Sequence, residues 1–412
     1  MRIIVQKFGG TSVATAEGRK MVARRVEQAV RDGYATVVVV SAMGREGAPY
    51  ATDTLIQLAN TACTDLAPRE MDLLLSCGEI ISSVIMAAIL KSNGIPATAL
   101  TGGQAGILTD ENHGAAHILK VDPTPMLNRL RQGLVVVVAG FQGVTRTGEI
   151  TTLGRGGSDT TAAALGGALK AEVVEIYTDV DGVKTADPRL VPEARTLSVT
   201  TYDEIAQMAH YGAKVVHPRA VEIAMQRRVS LRIRSTFEDG LGTLITYSLE
   251  AAGTTWSELV SDNPVTGVTH VTGLAQVVIR AGQAEQALPI FRSLAESGIS
   301  VDLINVSPEA KSFCVEERKA GQAEAILRDL GLDPVVRHGC AKVSVVGSGM
   351  RGRPGVMATV AAALSGAGVE ILQTADSHVT ISYLVEATHL QTAVQALHDA
   401  FGLGGEGAGS SN

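Results

Sequence analysis

Residues 154–160 read Gly-Arg-Gly-Gly-Ser-Asp-Thr. The glycines Gly154, Gly156 and Gly157 let a backbone approach a ligand closely and reach dihedrals that other residues avoid. The alanine-rich stretch Thr161–Lys170 that follows reads as helix, so the turn offers free backbone N–H groups to an anion. Arg155 can grip a carboxylate through two parallel hydrogen bonds, Ser158 can donate or accept one, and Asp159 can hold an ammonium group. That set suits a zwitterionic amino acid better than a bare phosphate. The alternative is an ordinary helix start capped by Ser-Asp.

Four further segments carry candidate chemistry. Lys7-Phe8-Gly9-Gly10-Thr-Ser follows an apolar run. A lysine at a strand end beside a Gly-Gly turn can reach a phosphate while backbone amides cradle it. The spacing is not that of a P-loop, and a tight turn with a solvated lysine is the other reading. Ser41-Ala-Met-Gly ends a second apolar run, Thr52-Asp53 follows on a loop, and Glu79 precedes the apolar stretch Ile80–Leu90. Glu79 is either a carboxylate for a substrate ammonium or a charge placed near a helix start. Tyr177-Thr178-Asp179-Val-Asp-Gly-Val leads into Lys184-Thr185-Ala186-Asp187-Pro188-Arg189, which reads as a nucleotide pocket or as solvated turns. Lys214 is a second cation able to reach phosphate. His113 and His117 are four apart, but no third ligand pattern accompanies them, so no metal site is expected.

These segments need a scaffold that brings strand ends together. Apolar runs at Ile3–Gln6, Thr36–Ser41, Ala97–Leu100, Leu134–Ala139, Glu172–Tyr177 and Val229–Ser235 alternate with helical stretches at Glu17–Asp32, Arg69–Asn93 and Pro218–Arg228. The alternation predicts an α/β domain with a mainly parallel sheet, which binds ligands at the carboxyl ends of its strands. Aromatics make up only 3% of the 412 residues, so Val, Ile, Leu and Ala must fill the core. The formal charge of −7 argues against general nucleic-acid binding. The four cysteines form no CxxC pair and fit a reducing compartment. No apolar run is expected to reach transmembrane length, and the amino terminus reads as a strand, so a cytoplasmic protein is expected.

A catalytic domain over 1–248 and a polar linker over 249–264 are expected, followed by an internal repeat. Ala275 and Ala341 each begin a strand–loop–helix–Gly–strand unit, which fits two ferredoxin-like βαββαβ modules at 265–337 and 338–402, able to exchange strands. Residues 403–412 are Gly- and Ser-rich and read as a disordered tail.

In chain order, Lys7-Phe-Gly-Gly-Thr-Ser, Ser41-Ala-Met, Gly78-Glu79, Ala139-Gly-Phe-Gln-Gly, Thr152-Leu-Gly-Arg-Gly-Gly-Ser-Asp-Thr, Thr178-Asp-Val-Asp-Gly-Val, Ala186-Asp-Pro-Arg and Lys214-Val-Val-His-Pro-Arg resemble the aspartate kinases of the amino-acid kinase family. The repeat resembles that family's paired ACT modules. Pro49-Tyr-Ala-Thr-Asp and Gln373-Thr-Ala-Asp-Ser-His resemble the Bacillus-type subclass that responds to diaminopimelate.

The resemblance implies an αβα sandwich and phosphoryl transfer from ATP, with Mg²⁺, to the side-chain carboxylate of L-aspartate. An aspartate carboxyl titrates near ~4, so this nucleophile needs no general base. The resemblance places Lys7, assisted by Lys214, on the phosphates, Arg155 on the α-carboxylate and Glu79 on the α-ammonium. Ser41, Thr52, Gly156, Gly157 and Ser158 would complete the substrate cradle, and Asp159 would organise the centre by holding Lys7. Phe8, Gly9, Gly10, Thr178, Asp179 and Lys184 to Arg189 would border the nucleotide. The ACT pair implies a homodimer and feedback by a pathway amino acid, with diaminopimelate favoured over lysine or threonine. Asp302, Asn305, Asp376 and Ser377 are the expected effector residues. Val301-Asp-Leu-Ile-Asn lacks the glutamine of the family's Gln-Asn pair, and Asp376-Ser-His also departs from the common pattern.

Overall fold

Uninterrupted β-branched runs build the middle of the amino-terminal sheet. Val37 to Val40 and Val136 to Val138 are completely buried, which requires a sheet covered on both faces. The computed structural model describes residues 1–210, 216–247, 263–280, 287–350 and 353–404. Lys214, most of the expected linker and the tail beyond 404 lie outside the described residues.

The chain divides into two compact units. The first carries strands β1 (Ile3–Phe8), β2 (Ala35–Val40), β3 (Ala97–Leu100), β4 (Ile107–Thr109), β5 (Ile118–Val121) and β6 (Val135–Ala139). It continues with β7 (Gln142–Val144), β8 (Ile150–Thr152), β9 (Val173–Thr178), β10 (Val199–Thr201), β11 (Leu231–Ser235) and β12 (Thr243–Thr246). Its helices are α1 (Gly10–Ala14), α2 (Ala16–Arg31), α3 (Thr52–Ala62), α4 (Pro68–Ser92), α5 (Thr124–Arg131), α6 (Gly157–Leu169), α7 (Tyr202–His210) and α8 (Pro218–Arg227).

Eight strands form one sheet in the order β10-β12-β11-β9-β1-β2-β6-β3. All its pairings are parallel except β11 with β12. Helices α2 and α4 bury Val22, Val26, Met86 and Leu90 against Phe8, Val38 and Val40 on one face. Helix α6 lies on β1, β2 and β9 and packs against α8. The result is the expected αβα sandwich. A small second sheet, β5-β4-β7-β8, was not expected; its strands of three or four residues carry too little alternation to be read.

Helix α4 corrects one expectation. It is 25 residues long and apolar enough by length and composition to cross a membrane, although half of that apolar stretch is buried inside the protein. Its buried positions include Asp72, Ser76, Glu79, Ser82 and Ser83, which line up a polar face within the unit.

The second unit contains residues 184–195 as well as the carboxy-terminal region. Sequence reading assigned that segment to the first domain, but Ala186 and Val191 are buried among Val343, Val345 and Leu397. The unit's strands are β13 (Gly267–Arg280), β14 (Asp302–Val306), β15 (Ala310–Glu316), β16 (Val335–Val346), β17 (Gln373–Asp376) and β18 (Thr380–Glu386). Its helices are α9 (Ala287–Glu296), α10 (Ala320–Asp329), α11 (Val356–Gly366) and α12 (Leu390–Ala400). The sheet order is β14-β15-β13-β16-β18-β17.

Each βαββαβ module borrows half of two long strands. Residues 274–280 of β13 pair with β15, while residues 267–271 pair with the half of β16 that also carries β18. One core gathers α9 and α10, the other α11 and α12. The boundary expected at 337 and 338 thus falls inside β16. The edge strands β14 and β17 meet where the Gln373 amide donates to the Leu303 carbonyl.

Candidate active site

The carboxyl ends of β1, β2 and β6 and the start of α6 converge on one cavity of about 740 Å³. Lys7, Gly10, Ser41, Thr52, Glu79, Arg155, Gly156, Gly157, Ser158 and Asp159 all line it. Residues spread over more than 150 positions are brought together because a parallel sheet puts all its strand ends on one side.

The turn before α6 is built by close approach. Gly156 has φ +67°, and a Cβ there would fall 2.1 Å from Cγ of His217. Gly156→Ala is expected to cost about 2–4 kcal/mol of stability, from the left-handed backbone and the clash together. Chemical denaturation measures it; a loss below about 1 kcal/mol would show that the turn relaxes. A Cβ on Gly140 would meet Ser158 Oγ at 2.8 Å, so the serine sits directly on the β6 strand end.

Lys7 and Asp159 form an ion pair at 2.6 Å, both largely buried. An ammonium carries three donors, so a lysine paired with one carboxylate can still serve another anion. Glu79 is 3% exposed. One of its oxygens accepts from the Ala42 N–H at 3.1 Å, and the other is buried without a partner among the described residues. Burial pushes its carboxyl from 4.5 up to about 8, against the opposing pull of that backbone donor. Arg155 is exposed at the cavity, with no hydrogen bond or ion pair among the described residues. A buried acceptor without a donor and a guanidinium without an anion are complementary to the two ends of an amino acid.

The expected nucleotide residues fare differently. Phe8 is fully buried, its ring stacked on Tyr177 at 4.7 Å, so only its backbone can serve a ligand. Gly9 caps α1. Thr178 donates to Asp179 at 3.0 Å, and Asp179 meets Arg45 at 3.3 Å. Thr185 and Ala186 are buried in the second unit, where Thr185 Oγ1 lies 3.0 Å from His398 Nε2. Their side chains are therefore occupied by that core rather than presented to a ligand. Arg189 pairs with Asp187 at 2.6 Å, and Pro188 is exposed. The effector candidates lie on or beside edge strands: Asn305 and Asp376 are exposed, Asp302 pairs with Lys342, and Ser377 closes a turn onto Thr380.

His113 and His117 do not converge. His113 meets Asp72 at 2.8 Å and His117 meets Asp110 at 3.1 Å. Sequence reasoning missed several lining residues, among them Phe141, Thr152 and the charged Asp72. The only signal for Asp72 was its place seven residues before Glu79, two helical turns away on the same face.

Comparison with known proteins bears on the family and the fold. The family model described as the amino acid kinase family matches residues 2–235, and an ACT domain model matches 335–399. Aspartokinase 1 of Bacillus subtilis is 49% identical over 98% of this chain and 100% of its own length. The aspartokinase of Geobacillus stearothermophilus is 44% identical, covering 99% of each chain. Among solved structures, E. coli aspartokinase III in complex with aspartate and ADP aligns at TM-score 0.72 and 25% identity, over 97% of this chain and 99% of that one. The Clostridium acetobutylicum aspartate kinase shares the fold at TM-score 0.80 and 22% identity, over 97% and 100%. Sequence likeness along almost the whole chain and a shared fold lead to one conclusion: the chain belongs to the amino acid kinase family, among its aspartokinases.

Proposed function

We propose that this protein transfers the terminal phosphoryl group of ATP to the side-chain carboxylate of L-aspartate, giving ADP and 4-phospho-L-aspartate. The observation that carries the reading is one cavity shared by Glu79, whose second oxygen has no partner among the described residues, by Arg155, which has none among them, and by the Lys7–Asp159 pair. Arg155 holds the α-carboxylate and Glu79 the α-ammonium, while Ser41, Thr52 and Ser158 orient the side chain. The attacking carboxylate is already ionised, so the protein supplies position and charge rather than a base. Lys7 neutralises charge on the transferring group, Asp159 fixes Lys7, and Lys214 assists on the phosphates. The N–H groups at the start of α6 add a fixed positive end.

The nucleotide would bring Mg²⁺, whose chemistry here is neutralisation of phosphate charge. Of the expected nucleotide residues, Asp179 would offer the hard oxygen donors such an ion takes, in exchange for its contacts to Thr178 and Arg45. The described residues contain no group of three His, Cys, Asp or Glu able to hold a metal on their own.

The paired ACT modules support feedback control, with a pathway amino acid binding more tightly to one kinase state than another. A related E. coli structure, aspartokinase III with lysine and aspartate, is described as a T-state. We favour diaminopimelate as effector here, acting through Asp302, Asn305, Asp376 and Ser377 in a homodimer joined by ACT modules. Four free cysteines, two of them exposed, support a cytoplasmic setting.

An ADP-release assay with L-aspartate and L-glutamate in parallel tests the reading. Turnover with aspartate at least a hundredfold above glutamate is expected, and equal rates or none would overturn it. Adding diaminopimelate, lysine and threonine singly and in pairs then identifies the effector by its inhibition.

A further inference from the structure

Asp72 is 1% exposed and is one of the residues that line the active-site cavity. It sits on α4, and every partner it has lies on other elements. Its oxygens accept from the Gly114 N–H at 3.0 and 3.1 Å, from the Thr152 N–H at 3.0 Å and from the Thr152 hydroxyl. His113 Nδ1 lies 2.8 Å away. Thr152 is the last residue of β8, three positions before Arg155. Glu79 is seven residues along the same helix, a rise of roughly 10 Å.

One buried carboxylate therefore joins the helix that carries Glu79 to the strand end that leads into the Arg155 turn. We propose that Asp72 is a positioning residue that fixes the span between the ammonium-binding and carboxylate-binding ends of the amino-acid subsite. It touches no reacting atom. Its role rests on the aspartate-binding reading of Glu79 and Arg155 given above. A neutral amide in its place would turn an N–H₂ toward one of these donors, so the strand end would shift away from α4. The strand end would not come loose altogether. The Gln142 amide on β7 also donates to the Ser76 carbonyl of α4 at 3.0 Å, and the Leu153 carbonyl accepts from Arg219 at 2.9 Å. A shift of this kind changes the fit of aspartate and leaves the nucleotide end untouched.

The test uses the full chain, with wild-type turnover of aspartate established first, so that failure of the kinase reading is seen separately. Asp72→Asn is compared with Thr109→Val, which removes the buried hydroxyl pair Thr109–Thr151 from the same small sheet without touching the cavity. KM for aspartate is expected to rise at least fivefold in Asp72→Asn, with KM for ATP within twofold of wild type. In Thr109→Val both KM values should stay within twofold, whatever the loss in Tm. A rise below fivefold, an equal rise for ATP, or an equal rise in Thr109→Val overturns the proposal. If Asp72→Asn does not fold, Thr152→Val decides the question: it removes one donor to the same carboxylate. A rise of at least threefold in KM for aspartate alone supports the proposal, and anything less overturns it.

Discussion

Lys7→Ala lowers turnover of ATP and L-aspartate by about 10²–10³-fold, the usual cost of removing one preorganised group that meets charge developing in the transition state. The fold survives. Backbone pairing holds β1 between β2 and β9, with Lys7 opposite Val39 and Ile176, and none of it needs the side chain. Binding of aspartate should change little, because the ends of the amino acid are held by Glu79 and Arg155. The loss therefore belongs in kcat rather than in KM for aspartate. Asp159→Asn alone should produce a smaller loss, since the lysine remains but is no longer held at 2.6 Å. The double variant should be little worse than Lys7→Ala, because Asp159 acts through the lysine it holds. Steady-state kinetics of the three variants, with circular dichroism to confirm folding, check this. A Lys7→Ala enzyme within threefold of wild type would remove the lysine from the chemistry, and strict additivity would remove the link to Asp159.

The sequence disclosed most of what surrounds this lysine. Apolar runs located the central strands to within one or two residues because strands buried on both faces cannot alternate: Leu134–Ala139 was expected and Val135–Ala139 is observed. The glycine-rich turn was legible because only glycine tolerates what happens at 156. Other features depend on contacts that no local pattern encodes. The strand β13 was expected to begin at Ala275 and begins at Gly267, since its first half belongs to the second module and pairs with β16 seventy residues later. The segment 184–195 reads as a continuation of the first domain until Ala186 and Val191 are found in the other core. Asp72 lies in the stretch Arg69–Asn93 with no local pattern to single it out, and its meaning comes from Gly114 and Thr152, 42 and 80 residues away.

Glu79 gives the second large effect, on pH dependence. Burial raises its carboxyl to about 8, so at pH 7 the ligand-free protein keeps it mainly protonated. The unfolded chain loses that proton near 4.5. Between these values the folded state holds the extra proton, so this group's contribution to stability is greatest below 4.5 and declines as pH rises to about 8. Glu79→Gln removes the slope, and its stability relative to wild type should improve steadily from pH 5 to pH 8.5 in denaturant titrations. An arriving ammonium reverses the preference: a buried carboxylate beside a cation favours the charged form. Binding of L-aspartate at pH 7 is therefore expected to expel close to one proton per site. Calorimetry in buffers of different ionisation enthalpy reads this directly, as does a KM for aspartate that falls as pH rises toward 8. In Glu79→Gln the proton release should vanish, and KM should rise by about 10–100-fold, the worth of one hydrogen bond to a charged group in a buried site. Binding without buffer dependence would show that Glu79 does not receive the ammonium. The arrangement has a physical logic. An empty site with an ionised Glu79 would bury an unpaired charge at high cost. Holding the residue neutral until its partner arrives lets the protein keep a carboxylate 3% exposed beside the Ala42 amide and spend its charge only on a cation that fits the cavity.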